Sequence, residues 1–244
     1  YTVRDDRVLR VLSRQNDEVD DGWLCDRGRF SYQAAYAAER ITTPMVRDGG
    51  QLRPASWERA LDEAAGALRR AGSRAALIAG GGTSSDLGFL AQRVAREALG
   101  TADIDSRARD RGDRATTLAL ADPALQATIS DLEFASTLLV LGTEPLDDAP
   151  ALDLRIRKGV RRNNVKLVVA SARPSALDAN AAHVLRLAPG DEPRAAALIA
   201  SALNGGDVPA EIAAVADLLK SGGDDVVVLY GDRVLADAAG GAAL

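Results

Sequence analysis

The sequence predicts an α/β protein: a doubly wound, mostly parallel sheet with helices on both faces, plus a small irregular N-terminal β-rich part. Three observations carry this. Residues 138–142 (LLVLG) and 166–171 (KLVVAS) are continuous apolar runs rather than alternating ones. Strands buried on both faces read that way, and parallel sheets covered by helices are where they occur. From about residue 73 onward, strand, loop and helix repeat in that order, the grammar of βαβ units. The first 54 residues show neither the runs nor the repeat.

Taken in order, residues 1–14 alternate around Asp5-Asp6 and predict a short hairpin. A polar loop follows and enters a helix near Ser31. Residues 42–54 are rich in Gly and Pro and read as an extended connector. Ser56 caps a helix whose apolar face carries Trp57, Ala60, Leu61, Ala64, Ala65 and Leu68, and Gly72 ends it. A strand at 75–79, a Gly-rich loop and a helix over 89–100 make the first strand–loop–helix unit. After the polar stretch 101–114 come a second strand at 137–142, an amphipathic helix at 151–163 and a third strand at 165–171. A fourth strand, VLRL, two Ala-rich helices and a fifth strand, VVVLY, complete the pattern. The last residues begin another helix.

Composition removes several function classes. The 244 residues carry 30 basic and 35 acidic side chains, a net charge of −5. Non-specific nucleic-acid binding needs a basic surplus, so no nucleic-acid partner is expected. No run reaches the roughly 18 apolar residues of a helical membrane span, so direct membrane insertion is not expected either. A hydrophobic share of 47% is too high for a disordered chain. With one Cys there is no internal disulfide. The chain opens on Tyr1 and runs straight into strand-like sequence, which reads as a piece of a longer protein.

Gly80-Gly81-Gly82-Thr83-Ser84-Ser85-Asp86 follows a strand and precedes a helix. Such a loop can cradle phosphate on backbone N–H groups, or it is a tight βα turn capped by Thr and Ser. It fits neither GxGxxG nor GxxxxGK[ST]. Gly142-Thr143-Glu144-Pro145 and Ser171-Ala172-Arg173-Pro174 also leave strand carboxyl ends, where ligands of doubly wound sheets sit. The three loops together outline one crevice. Glu144, Asp147, Asp148 and the run Arg155, Arg157, Lys158, Arg161, Arg162 read as a solvated charged face. Cys25 stands alone among Trp23 and Phe30, and the single His, His183, is far away in sequence. That leaves no constellation for thiol, serine or metal hydrolysis.

GWLCDRGRFSYQ, followed by ERITTPMVRDGGQLRPASWERALDEAA, resembles the segment joining the iron–sulfur domain to the main body in molybdopterin oxidoreductases. DLEFASTLLVLGTEPLDDAPALDLRIRKGVRRNNVKLVVASARPS resembles the nucleotide-binding region of that superfamily. Within it, CDRGRF and LDLRIRKGVRR are most similar to the G-subunit family of bacterial NADH-quinone oxidoreductase (complex I). The resemblance runs to about residue 200. It implies that residues 1–54 are the end of an iron–sulfur domain with its connector, and that 55–244 are a truncated molybdopterin-oxidoreductase-like α/β body. By the same resemblance, Cys25 is the fourth ligand of a [4Fe–4S] cluster in the full-length parent. The other three ligands would then lie upstream of this chain, so no cofactor is expected in these 244 residues alone.

Gly80, Gly81, Gly82, Thr83, Gly142, Glu144 and Ser171 would be a vestigial pterin cradle. Molybdopterin itself is not expected, because residues 103–113 lack Cys and the metal-ligand position falls near Arg111, which has no lone pair to give. The implied partners are the other subunits of the peripheral arm, on the cytoplasmic side of the plasma membrane. The implied activity of the whole complex is electron transfer from NADH to quinone, with this segment as scaffold and no catalysis of its own. Two alternatives stay open: a formate dehydrogenase-like molybdopterin enzyme, and a nucleotide-binding module without a redox role.

Overall fold

The computed structural model describes residues 1–106 and 114–244; the stretch 107–113, with Asp110, Arg111 and Asp113, lies outside the described residues. There are two compact units, one of Tyr1–Tyr32 with Arg111–Leu244 and one of Gln33–Asp110.

In the first, β1 (Thr2–Arg4) and β2 (Arg7–Arg10) form the predicted antiparallel hairpin. Asp5 and Asp6 take φ of 50° and 55°, as a two-residue turn of the favoured hand requires. α1 (Asp26–Phe30) starts earlier than the helix expected near Ser31, which instead opens a 3₁₀ segment, Ser31–Tyr36. No residue of 1–32 is buried.

In the unit Gln33–Asp110, the predicted connector at 42–54 is a second hairpin, β3 (Met45–Asp48) with β4 (Gln51–Pro54). Gly49 and Gly50, at φ 55° and 84°, make its turn. α2 (Trp57–Ala71) begins and ends where the sequence places it. Ser56 Oγ accepts the Arg59 N–H at 3.2 Å, and Gly72 has φ 55°. Its apolar face is largely open: Trp57 and Leu61 are 70% and 62% exposed. Ser56→Ala removes the cap bond and should cost about 1 kcal/mol, seen as earlier loss of helical ellipticity in urea.

The run 75–79 also departs from expectation. It is not part of the main sheet. β5 (Leu77–Ile78) pairs in parallel with β6 (Ile104–Asp105), a strand that the polar residues around it hide. α3 (Ser85–Arg93) is capped by Ser84 and continues as a π-helical turn, Val94–Leu99.

The remainder of the first unit contains α4 (Arg114–Leu120), α5 (Asp131–Phe134), β7 (Thr137–Leu141), α6 (Pro145–Asp148), α7 (Pro150–Arg162), β8 (Lys166–Ser171), β9 (His183–Arg186), α8 (Glu192–Leu203), α9 (Ala210–Ser221), β10 (Val226–Tyr230) and α10 (Ala238–Ala243). β7 to β10 form an all-parallel sheet in the order β10-β7-β8-β9. Leu139, Leu141, Val168 and Ala170 face one way and pack on Ile199, Val215 and Leu219 of α8 and α9. Leu138, Val140, Leu167 and Val169 face the other way, against Ile156 of α7 and Leu132 of α5. Two covered faces are why the strand runs are apolar without a break.

Candidate functional site

β8 and β9 lie on one side of β7 and β10 on the other, so the strand order reverses between β7 and β10. Loops that leave neighbouring strands in opposite directions open a crevice there. Gly142, Glu144, Ser171, Glu192, Gly231 and Arg233 line it. Gly142, Glu144 and Ser171, from two of the three loops that the sequence reading assigns to one crevice, are among its lining; Gly80, Gly81, Gly82 and Thr83 are not. Gly231, Arg233 and Glu192 are not legible in the sequence as site residues, although Gly231 ends the fifth strand and the strand-end rule reaches it. Gly142 has φ 66°. A Cβ on Gly231 would stand 2.5 Å from the Gly142 carbonyl oxygen, so the two loops pass backbone against backbone.

The electrostatics of the crevice are acidic. Glu144, Asp148, Glu192 and Asp232 line it, with Arg173 and Arg233 as the cations. Both guanidiniums are engaged: Arg173 with Asp147 at 2.8 Å, Arg233 with Glu192 at 3.7 Å. The Ser171 hydroxyl donates to the Arg173 carbonyl at 2.8 Å and accepts from Arg186 Nη1 at 2.6 Å, so its one proton is spent. Glu144 Oε2 accepts the Ala176 N–H at 3.2 Å, while its Oε1 is buried without a partner.

Gly80, Gly81, Gly82 and Thr83 lie in the other unit. The Thr83 N–H donates to the Gly80 carbonyl at 3.0 Å, and Ser84 Oγ accepts from Leu87 at 3.2 Å. None of the three glycines has positive φ, and a Cβ on any of them would meet nothing within 4 Å. This is the capped βα turn. His183, half-buried at the start of β9, has an Nε2 with no hydrogen-bond partner.

Cys25 caps α1, and its Sγ accepts the Gly28 N–H at 3.4 Å. Just before it, residues 16–23 close a tight loop in which Val19, Asp20 and Asp21 donate to the Asn16 carbonyl and Trp23 to that of Asp20. That loop sits on α7. Arg155 Nε donates to the Val19 carbonyl at 3.2 Å, and Nη2 donates to the Asp17 carbonyl. Arg155 also pairs with Glu133 at 2.6 Å and Asp21 at 3.2 Å, and Lys158 with the same two carboxylates at 2.8 and 2.9 Å.

The solvated face expected around Arg155 is therefore corrected. Its side chain is 6% exposed and that of Glu133 4%, because the 16–23 loop roofs them. Hydrogen bonding to Lys158 holds the Asp21 carboxyl below its usual range. At Glu133 burial pushes upward, but hydrogen bonds from Lys158 and Arg155 outweigh it and the shift is downward. Lys158 is raised by its bonds to Asp21 and Glu133. Among the described residues no group of three or more His, Cys, Asp or Glu could hold a metal ion.

Two family models match the chain. Residues 40–234 match molybdopterin oxidoreductases, and residues 2–33 match the 4Fe-4S domain of NADH-ubiquinone oxidoreductase NDSU1/NuoG-like proteins. The NADH-quinone oxidoreductase G subunit of Mycobacterium bovis is 35% identical over 236 residues, covering 93% of this chain and 28% of the relative. The Streptomyces coelicolor G subunit is 32% identical over 257 residues, covering 96% and 29%. NADPH-Fe(3+) oxidoreductase subunit alpha of Geobacter sulfurreducens is 34% identical over 201 residues, covering 79% and 23%. The chain thus spans less than a third of the length of these relatives. Among solved structures, acetylene hydratase from Pelobacter acetylenicus superposes with a TM-score of 0.52 at 15% identity, covering 90% of this chain and 36% of that one. The formyltransferase/hydrolase complex of Methylorubrum extorquens gives 0.53 at 17%, covering 82% and 55%. Both are likenesses of fold.

Proposed function

Because the chain belongs to the molybdopterin oxidoreductase family, we propose that it is part of the iron–sulfur subunit of an NADH-quinone oxidoreductase, serving electron transfer from NADH to quinone. The observation that carries this is the match of residues 2–33 to a NuoG-like 4Fe-4S domain, with the chain's one cysteine inside it. Residues 1–54 are on this reading the end of the iron–sulfur domain with its connector and 55–244 the α/β body; the two family matches change over between residues 33 and 40. Cys25 is one ligand of a [4Fe–4S] cluster. Such a cluster takes about four thiolates, so these 244 residues hold none by themselves, and the other three ligands belong to sequence upstream in the full-length protein. The Gly28 N–H given to Cys25 Sγ suits a ligand sulfur, since hydrogen bonds to cluster sulfurs tune the potential. When bound, the cluster supplies one-electron transfer; the α/β body supplies scaffold, with no catalysis of its own.

The crevice does not fit a pterin dinucleotide. A pyrophosphate brings negative charge to four carboxylates whose neighbouring guanidiniums, Arg173 and Arg233, are already paired, and Ser171 has no proton to give. Gly142, Glu144 and Ser171, like residues 80–83, are on this reading remnants of a cofactor cradle. The partners are the other subunits of the peripheral arm, on the cytoplasmic side of the plasma membrane. Among the described residues no helix is long and apolar enough to cross a membrane.

The test is iron, acid-labile sulfide and molybdenum on the full-length protein purified without air. Iron and sulfide without molybdenum are expected, and Cys25→Ser should lower the iron by about one [4Fe–4S] cluster. Molybdenum near one per chain would overturn the reading in favour of a molybdopterin enzyme.

A further inference from the structure

We propose that Arg155, with Lys158, Glu133 and Asp21, is a positioning clamp that sets the place of the Cys25 sulfur from the α/β body. The functional weight of this rests on Cys25 being a cluster ligand; the clamp itself does not. No residue of 1–32 is fully buried, and Trp23 shares a hollow with Ala151 and Leu154 of α7. The directional bonds that fix the loop before Cys25 are polar. Arg155 holds the carbonyls of Asp17 and Val19 and the carboxylate of Asp21, Lys158 holds Asp21, and Ser130 Oγ donates to the Glu18 carbonyl at 3.4 Å. Glu133 sits beneath and keeps both cations aimed.

From Asp21 the path to the sulfur is short and ordered. Asp20 Oδ1 accepts the Gly22 N–H at 2.8 Å, Trp23 N–H closes on Asp20, and Cys25 then caps α1. α1 buries no residue. The position of the sulfur is therefore inherited from the loop, and the loop's from α7.

The chain has one thiol, which makes the test direct. The rate of Cys25 alkylation by iodoacetamide is measured under native conditions for the parent chain, Asp21→Asn, Arg155→Met and Arg155→Lys. Cys25 is half-buried, so both neutral substitutions should speed alkylation by about two- to threefold as the loop loosens, and high salt, which screens buried pairs little, should leave the parent chain's rate nearly unchanged. Arg155→Lys should recover part of the protection, since it keeps the charge and loses the fork. Asp21 is 31% exposed and Arg155 6%, so Asp21→Asn is the milder change and decides the test. In that variant global unfolding cannot mimic the effect, because at about 5 kcal/mol of stability fewer than one molecule in a thousand is open.

Alkylation of Asp21→Asn at the parent rate overturns the clamp. The same variant in the full-length protein is then read by electron paramagnetic resonance of the reduced clusters. A changed signal supports the clamp acting on a ligand sulfur. Faster alkylation with an unchanged signal leaves the clamp in place and removes the ligand role of Cys25.

Discussion

Glutamine in place of Glu133 should cost the protein about 3–5 kcal/mol, the penalty for leaving a buried charge without its partner. The Arg155 side chain is 6% exposed and, besides the Asp17 and Val19 carbonyls, would keep only one carboxylate, Asp21, itself 31% exposed and shared with Lys158. At about 2–4 °C per kcal/mol for a chain of this size, the thermal midpoint should fall by roughly 6–20 °C. The loss should also depend on pH in a defined direction. Glu133 and Asp21 are held below the usual carboxylate range in the folded protein. Their contribution is present above the unfolded value of about 4 and disappears as pH falls through the folded values. Lys158 is raised, so its contribution is present below about pH 10.4 and is lost as pH climbs through the folded value. Urea midpoints of the parent and Glu133→Gln should differ most near neutrality and converge at low pH, where the parent carboxyl is protonated too. A constant difference across that range would show that Glu133 acts by shape rather than by charge.

Gly159→Ala should be nearly as damaging, at about 3 kcal/mol, the upper end for overpacking a tight contact. Gly159 is where α7 rests on α5. A Cβ there would stand 2.8 Å from the Glu133 carbonyl oxygen, 3.0 Å from the Glu133 Cα and 3.0 Å from the Leu132 carbonyl oxygen. All three are backbone atoms, so no side chain can swing aside and one helix must move. Alanine gains about 1 kcal/mol of helix propensity over glycine, so a variant as stable as the parent in urea would show that the contact yields cheaply. Because the residue displaced is Glu133, the variant should also shorten the protection of Cys25.

The parallel sheet is legible because β7 and β8 are buried on both faces and advertise it through unbroken Leu and Val. The hairpin at Asp5-Asp6 is legible through alternation, and α2 through Ser56 and Gly72. β6 is not, since two residues between Asp103 and Ser106 give no periodicity to read. The second hairpin hides behind Gly49-Gly50, which is equally good grammar for a loop. At the crevice the strand-end rule finds Gly142, Glu144 and Ser171. It cannot reveal that Ser171 is occupied by Arg186, a partner 15 residues away. The clamp is hidden for the same reason. Alternating charges on α7 look solvated until the 16–23 loop, more than 130 residues earlier, is laid over Arg155.

The order of strands also sets the order in which the protein can be made. β7 lies between β8 and β10, and Ser136 bonds Asp225, a residue 89 positions later. At about 5–20 residues per second the ribosome needs roughly 4–18 s to cross that interval. For that time one edge of β7 and the apolar face awaiting α8 and α9 are open on the nascent chain. Pairings this distant in sequence are also slow to close. Yield from a cell should therefore respond to translation speed and to the supply of chaperones that shield unpaired strands, more than to the stability of the finished sheet.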